Sequence, residues 1–176
     1  NLKDAGNMTQ YNELLSTVTP ARFKVGQMIG SSGILMGITL AMYVNVDQDK
    51  KTIYKGIFLS SALAVFLTGV TEPIEYMFMF VALPLYLVYA VIQGCAFAMA
   101  DIVNLRVHSF GNIGFLTRTP MAIKAGIGMD LINFIWVSGV FAVAAFLIAN
   151  FMIKKLNLAT AGRNGNYDAK GTDEAP

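Results

Sequence analysis

The sequence predicts an all-α membrane protein with about three transmembrane helices plus a re-entrant hairpin. Three observations carry that prediction. Of the 176 residues, 55% are hydrophobic and only 14% are charged, against about 25% charged in an ordinary soluble domain. The apolar residues are gathered into long uncharged runs, Val25–Val46, Tyr76–Ala100 and Leu131–Ile153, each long enough for a membrane crossing of ~20 residues. A shorter apolar run, Ile57–Val70, leads into Thr71-Glu72-Pro73-Ile74-Glu75-Tyr76, which sets two carboxylates and a proline inside a belt otherwise free of charge.

Asn1 to Lys24 is polar, carries Thr19-Pro20, Arg22 and Lys24, and reads as a loop segment leading to a membrane edge. Val25–Val46 holds Gly26, Gly30, Gly33 and Gly37. Their spacing puts them on one helical face, where small residues let another helix backbone come close; packing and a direct ligand role are both open for that face. Asp47 to Lys55 contains Asp47, Asp49, Lys50, Lys51 and Lys55 and reads as an interfacial loop. Its lysines favour the cytoplasmic side, as do Lys154, Lys155 and Arg163 at the far end. The stretch Asp101 to Lys124 also carries Arg106, Arg118 and Lys124, which blurs the asymmetry.

Ile57–Val70 has 14 residues, too few for a normal span and suited to a half-helix or re-entrant arm. Proline at 73 disfavours the helical region for the residue before it and suits the first turn of a new helix. The chain is therefore expected to break near Thr71-Glu72 and restart at Pro73. Irregular backbone at membrane depth survives only when buried in protein or lining a cavity. Tyr76–Ala100 is expected to be the next helix, with Pro84 as a kink point, and Met129 to Ile153 the last. Asn157 to Pro176, with Gly162, Gly165 and Gly171, reads as a flexible exit segment.

The hexapeptide is the candidate functional site. An ionised side chain at the bilayer centre costs about 2.5–3.5 kcal/mol on insertion scales, so such acids are retained where protein, water or ligand stabilises them. In this reading Glu72 occupies the N-cap position and Glu75 the third helical position, both facing the positive end of the new helix dipole. Both acids can be caps, the role expected of Glu75; Glu72, at the unwound point, is the more available to a ligand. A carboxylate accepts strong hydrogen bonds from neighbouring hydroxyls, which suits a sugar, and Tyr76 and Phe80 can offer an aromatic wall or simply pack. A proton relay or a cation site would use the same acids. The residues alone leave these alternatives open.

Other classes find little here. The net charge of +2 and the absence of a basic cluster argue against nucleic acid. The one cysteine, Cys95, cannot form an internal disulfide and is expected to pack as a small apolar residue. No cofactor and no metal site are expected. No signal peptide is visible, and the opening Asn1-Leu2-Lys3-Asp4 without an initiator Met reads as a fragment or processed piece.

Residues 61–80, and above all Gly69-Val70-Thr71-Glu72-Pro73-Ile74-Glu75-Tyr76, resemble the signature of the membrane permease component, enzyme IIC, of the bacterial sugar phosphotransferase system, glucose superfamily. Leu158-Ala159-Thr160-Ala161-Gly162-Arg163 resembles the Thr-Pro-Gly-Arg element where such permeases pass into a linker, with Ala161 at the usual proline. Arg22-Phe23-Lys24-Val25-Gly26-Gln27-Met28, Met99-Ala100-Asp101 and Arg106-Val107-His108-Ser109-Phe110-Gly111 are similar to the glucose permeases of Gram-positive bacteria.

That resemblance implies a carboxy-terminal, sugar-binding part of a larger enzyme IIC fold. It implies that Glu72, with Thr71 beside it, binds the sugar near the hydroxyl that becomes phosphorylated, so Glu72 is the expected catalytic residue and Thr71 and Glu72 the expected substrate-binding pair. It assigns no ligand role to Glu75. The phosphoryl donor in the family is a phosphocysteine of enzyme IIB in a Cys-x-Thr-Arg-Leu-Arg context, which Gln93-Gly94-Cys95-Ala96-Phe97 does not match. His108 likewise does not match the histidine that family members carry in an amino-terminal half, and reads as a loop residue. The expected organisation is a polar segment over 1–24, a transmembrane sugar-binding part over 25–156 and a linker over 157–176 towards a partner domain. The expected partners are a sugar of the glucose, N-acetylglucosamine or maltose class, enzyme IIB, indirectly enzyme IIA and HPr, a second copy in a homodimer, and membrane lipid. The expected location is the bacterial cytoplasmic (inner) membrane, with the carboxy-terminus cytoplasmic. An ion-coupled sugar transporter without phosphorylation and a purely structural membrane segment are the alternatives.

Overall fold

A computed structural model describes residues 22–102, 111–124 and 128–166. Those residues are helices joined by short connections: α1 (Arg22–Ile29), a π-helical turn (Gly30–Ile34), α2 (Leu35–Val44), α3 (Lys51–Thr68), α4 (Glu72–Met79), α5 (Leu83–Ile102), α6 (Asn112–Lys124) and α7 (Gly128–Lys155). Three stretches are long and apolar enough to cross a membrane, Lys24–Val44, Leu83–Ala100 and Leu131–Lys155. The first and third match uncharged runs to within two residues and the second covers the later part of Tyr76–Ala100, and the chain is an all-α membrane protein.

The rod formed by α1, the π turn and α2 is the centre of the fold. Val25, Met28, Ile29, Ile34 and Leu35 are fully buried along it. The glycine face turns out to be a packing face shared between two neighbours. A Cβ on Gly26 or Gly30 would overlap Phe97 or Gln93 of α5, and one on Gly33 or Gly37 would overlap the backbone carbonyl of Ser138 or Ala142 of α7. The π turn lies across the second and third of these glycines. Its wider winding shifts the helical register between the pair that meets α5 and the pair that meets α7. At the end of α2 the Asn45 amide donates to Asn150 Oδ1 on α7, 2.8 Å away.

By contrast α5 and α7 present rows of large apolar side chains outward, including Leu83, Leu87 and Val91 on one and Trp136, Val140, Val143 and Leu147 on the other. Such surfaces suit lipid or further protein. Cys95 is exposed on α5, which corrects the expectation that it packs inside: it falls on this outward face, while Ala96 beside it is fully buried.

Several boundaries also differ from the sequence reading. The loop after α2 is only Asn45–Lys50, because Lys51 already begins α3. Tyr76–Ala100 is two helices, not one, broken at Phe80–Ala82. Pro84 consequently stands in the first turn of α5, where its missing N–H costs nothing, and no kink is needed. Within the stretch read as a loop, Asn112–Lys124 is helical, with Pro120 inside it. The side chains of Asp101 and Arg118, and the whole of Arg106 and His108, lie outside the described residues.

The exit segment, expected to be flexible, is folded back over its described part. Arg163 Nη1 donates to the carbonyls of Ile153 and Leu158, and Nη2 to Asn157 Oδ1. The Ile153 carbonyl also accepts from the Leu158 amide at 3.1 Å, so Arg163 adds to a turn that already closes the end of α7. The Asp47 amide donates to the Gly162 carbonyl at 3.0 Å, and the Asn164 amide donates to Asp47 Oδ2 at 3.2 Å. Gly162, at φ +78°, lies against the ring of Tyr54. The clasp puts the α2–α3 loop and the end of α7 on one edge of the molecule, so Lys50, Lys51, Lys154, Lys155 and Arg163 share that edge.

Candidate functional site

The candidate site is the junction between α3 and α4. Helix α3 ends because Gly69 adopts φ +79° and its amide closes onto the Val65 carbonyl at 2.8 Å, a left-handed termination that favours glycine. Thr68 Oγ1 donates to the Ala64 carbonyl and accepts from the Val70 amide. Two more residues bring the chain to Thr71, whose carbonyl accepts from the amides of Ile74 and Glu75 at 3.2 and 3.1 Å.

Those two bonds make Thr71, not Glu72, the N-cap residue of α4. Glu72 is the first helical position, Pro73 the second and Glu75 the fourth, one place later than expected for both acids. The physical reason is that the first intrahelical bond starts from the Thr71 carbonyl, and Pro73 at the second position still lies among the amide positions that need no partner. Thr71 is buried and its side chain makes no capping bond.

Glu72 is exposed and stands one turn from Glu75 on the same helical face. Both sit in the first turn of α4, the positive end of its dipole. Glu75 is not a cap. Its Oε1 accepts a 2.6 Å hydrogen bond from the Tyr89 hydroxyl of α5. Around that bond Phe78 packs edge-on to Tyr89 at 5.8 Å and tilted to Tyr86 at 6.1 Å. On the side of α4 away from Phe78, Tyr76 and Phe80 stack at 6.3 Å with their planes 24° apart, and both are exposed. They form a continuous aromatic surface beside the two acids.

The α3 side of the junction is held by residues that sequence reasoning missed. Asn112 Nδ2 donates to the Phe66 carbonyl and to Ser32 Oγ, each at 2.8 Å. Asn112 thus ties the last turn of α3 to the π turn. A Cβ on Gly111 would overlap the Thr68 carbonyl, so α6 starts hard against the junction. The only prior sign of this was an Asn after a Gly in a stretch that reads as a loop. Behind Asn112 lies a cavity of about 520 Å³, lined mainly by apolar side chains with Ser32, Asn112 and Ser138 among them. The Ser138 hydroxyl is buried there without a hydrogen-bond partner. Glu72 does not line this cavity. Among the described residues, no group of three His, Cys, Asp or Glu side chains is gathered to hold a metal.

Chemically, the junction presents one carboxylate with both oxygens open to a ligand, a second that is already bonded within the protein, a buried threonine and an aromatic surface. Such a set accepts hydrogen bonds from hydroxyl groups and offers a face for an apolar ring surface.

Residues 4–94 match the family described as "Phosphotransferase system, EIIC". The chain is 67% identical over 175 residues, 99% of its length, to the PTS system glucose-specific EIICBA component of Streptococcus pneumoniae, of which it covers 24%. It is 30% identical over 97% of its length to the glucosamine-specific EIICBA component of Bacillus subtilis, covering 26% of that protein. It is also 30% identical over 80% of its length to the N-acetylglucosamine-specific EIICBA component of Escherichia coli, covering 22% of it. The chain therefore spans about a quarter of the length of the relatives it matches.

Proposed function

This chain belongs to the phosphotransferase system EIIC family, and on that premise we propose that it is the sugar-binding part of a permease that takes glucose or a related hexose across the bacterial inner membrane and presents it for phosphorylation. The observation that carries the reading is Glu72, an exposed carboxylate at a helix start inside an apolar belt. An acid in that place needs a stabilising partner, and the hydroxyls of a sugar are suited to it. Thr71, next in the chain and buried, completes the expected substrate-binding pair.

In this reading Glu72 holds the sugar hydroxyl for attack on the phosphocysteine of an enzyme IIB domain, as orienting acceptor or as general base; a base needs hydrogen-bond reach to the proton it takes. Cys95, exposed on α5 and outside the IIB sequence context, is not the donor. Phosphate reaches IIB through enzyme IIA and HPr, and the working assembly is a homodimer. The relatives named EIICBA support IIB as the partner, and the glucose-specific name of the 67% identical one supports glucose among the candidate sugars. The edge that gathers Lys50, Lys51, Lys154, Lys155 and Arg163 is the cytoplasmic one, by the positive-inside rule. The carboxy-terminus then points to the cytoplasm, with residues beyond the Arg163 clasp serving as the linker.

The test is Glu72→Gln in the full permease, assayed in membrane vesicles with phosphoenolpyruvate and the soluble carriers. Sugar phosphate formation is expected to vanish while the protein still inserts. Near-normal phosphorylation would remove Glu72 from the chemistry. Accumulation of unmodified sugar driven by an ion gradient would favour the ion-coupled transporter instead.

A further inference from the structure

We propose that Glu75 and Tyr89 form a latch that sets the rotation of α4 and so aims Glu72, making both of them positioning residues for the sugar site. The inference rests on the functional reading of Glu72 above.

The starting point is the size of α4. It has eight residues, about two turns, and a helix that short does not hold itself in place. Its orientation must come from contacts. Ile74 and Phe78 are fully buried on its inner side, which fixes which side faces the core. Apolar contacts are non-directional, however, and leave the helix free to roll and slide by small amounts. The Tyr89–Glu75 bond is directional, and among the described residues it is the one side-chain hydrogen bond between α4 and another helix.

Its geometry is that of a strong bond. The oxygen–oxygen separation of 2.6 Å falls in the ~2.5–2.7 Å range of hydroxyl-to-carboxylate bonds. Tyr89 is only 6% exposed, so its hydroxyl has little access to other partners, and a buried donor left unmade is costly. The ring is clamped as well, edge-on to Phe78 and against Tyr86 at 5.9 Å. A fixed phenol therefore holds Glu75, and Glu72 follows one turn away on the same face of the helix. The division of labour between the two acids comes from this. Glu75 is engaged inside the protein and Glu72 is left open.

The experiment uses the full permease in vesicles, with Tyr89→Phe, Glu75→Leu, which removes the acceptor oxygens at similar size, and the double variant. The half-saturating sugar concentration is measured separately from that of the phosphorylated IIB partner. Tyr89→Phe removes one oxygen and keeps the ring. Each single variant is expected to raise the half-saturating sugar concentration about tenfold, equivalent to about 1.4 kcal/mol. Half-saturation by the IIB partner should stay as in the parent, and the double variant should be no worse than the poorer single one. A purely structural role would lower the amount of active protein and leave sugar half-saturation unmoved; that result overturns the latch. Effects that multiply in the double variant overturn it too, since they mean the two groups act apart. If Tyr89→Phe does not insert, Glu75→Leu alone decides by the same sugar measurement. Should Glu72→Gln remain fully active, the sugar-site reading itself fails. If Glu72→Gln is dead while Tyr89→Phe and Glu75→Leu bind sugar as the parent does, only the latch fails.

Discussion

Gly33 on the π turn and Ser138 on α7 meet backbone to backbone, with the Ser138 carbonyl oxygen in the space that a Cβ on Gly33 would need. Gly37 repeats the contact one turn on, against the Ala142 carbonyl. In lipid no hydrophobic force drives helices together, so close packing and polar bonds must do so. The central rod and α7 are joined in this way, with the Asn45–Asn150 bond at one end.

Gly33→Ala should therefore destabilise the protein by about 1–3 kcal/mol, the usual cost of overpacking a tight contact, since the atom it meets is backbone and cannot swing aside. Gly139→Ala on α7, where a Cβ would meet nothing within 4 Å, is the control. Thermal unfolding in detergent compares the two. Equal melting temperatures would mean that the rod and α7 are not held by this approach.

Asn112→Ala should loosen the end of α3. It removes both bonds from Nδ2, to Phe66 and to Ser32, each worth about 0.5–1.5 kcal/mol net. Amide exchange over residues 65–70 should become several-fold faster, while exchange in α7 stays as in the parent. Unchanged protection there would show that α3 needs no support from α6.

Arg163→Ala should free the exit segment. The guanidinium is the group that returns residues 157–163 to the end of α7. Without it, a broad-specificity protease should cut between 157 and 166 several-fold faster, with helix content by circular dichroism unchanged. Equal cleavage rates would mean that the remaining bonds, among them the Asp47 contacts to Gly162 and Asn164 and the Asn164 and Asn166 side-chain bonds to Asn157 and Ala159, hold the segment without Arg163.

The parts of the architecture that were legible beforehand share one property. The spans Lys24–Val44, Leu83–Ala100 and Leu131–Lys155 follow from charge-free length. The break near Thr71 follows from Pro73, whose constraint acts on its immediate neighbour. Even there the N-cap lay one residue off, because Thr71 and Glu72 compete for it and hydrogen bonds decide. Asn112–Lys124 went unseen as a helix because Arg118, Pro120 and Lys124 interrupt its apolar pattern. The exit segment looked loose because its order depends on Asp47 and Tyr54, more than a hundred positions earlier.

The sequence by itself determined that this chain lives in a membrane, where it crosses, and where its backbone must break with an acid beside the break. Desolvation is charged residue by residue, so it can be read along one dimension. Only the tertiary structure decided that Glu75 answers to Tyr89 while Glu72 stays open, that the glycines serve α5 and α7 in turn, and that Arg163 folds the tail back. Each of those depends on the rotation and approach of one helix relative to another, and a hydrogen bond or a backbone contact is won or lost within an ångström.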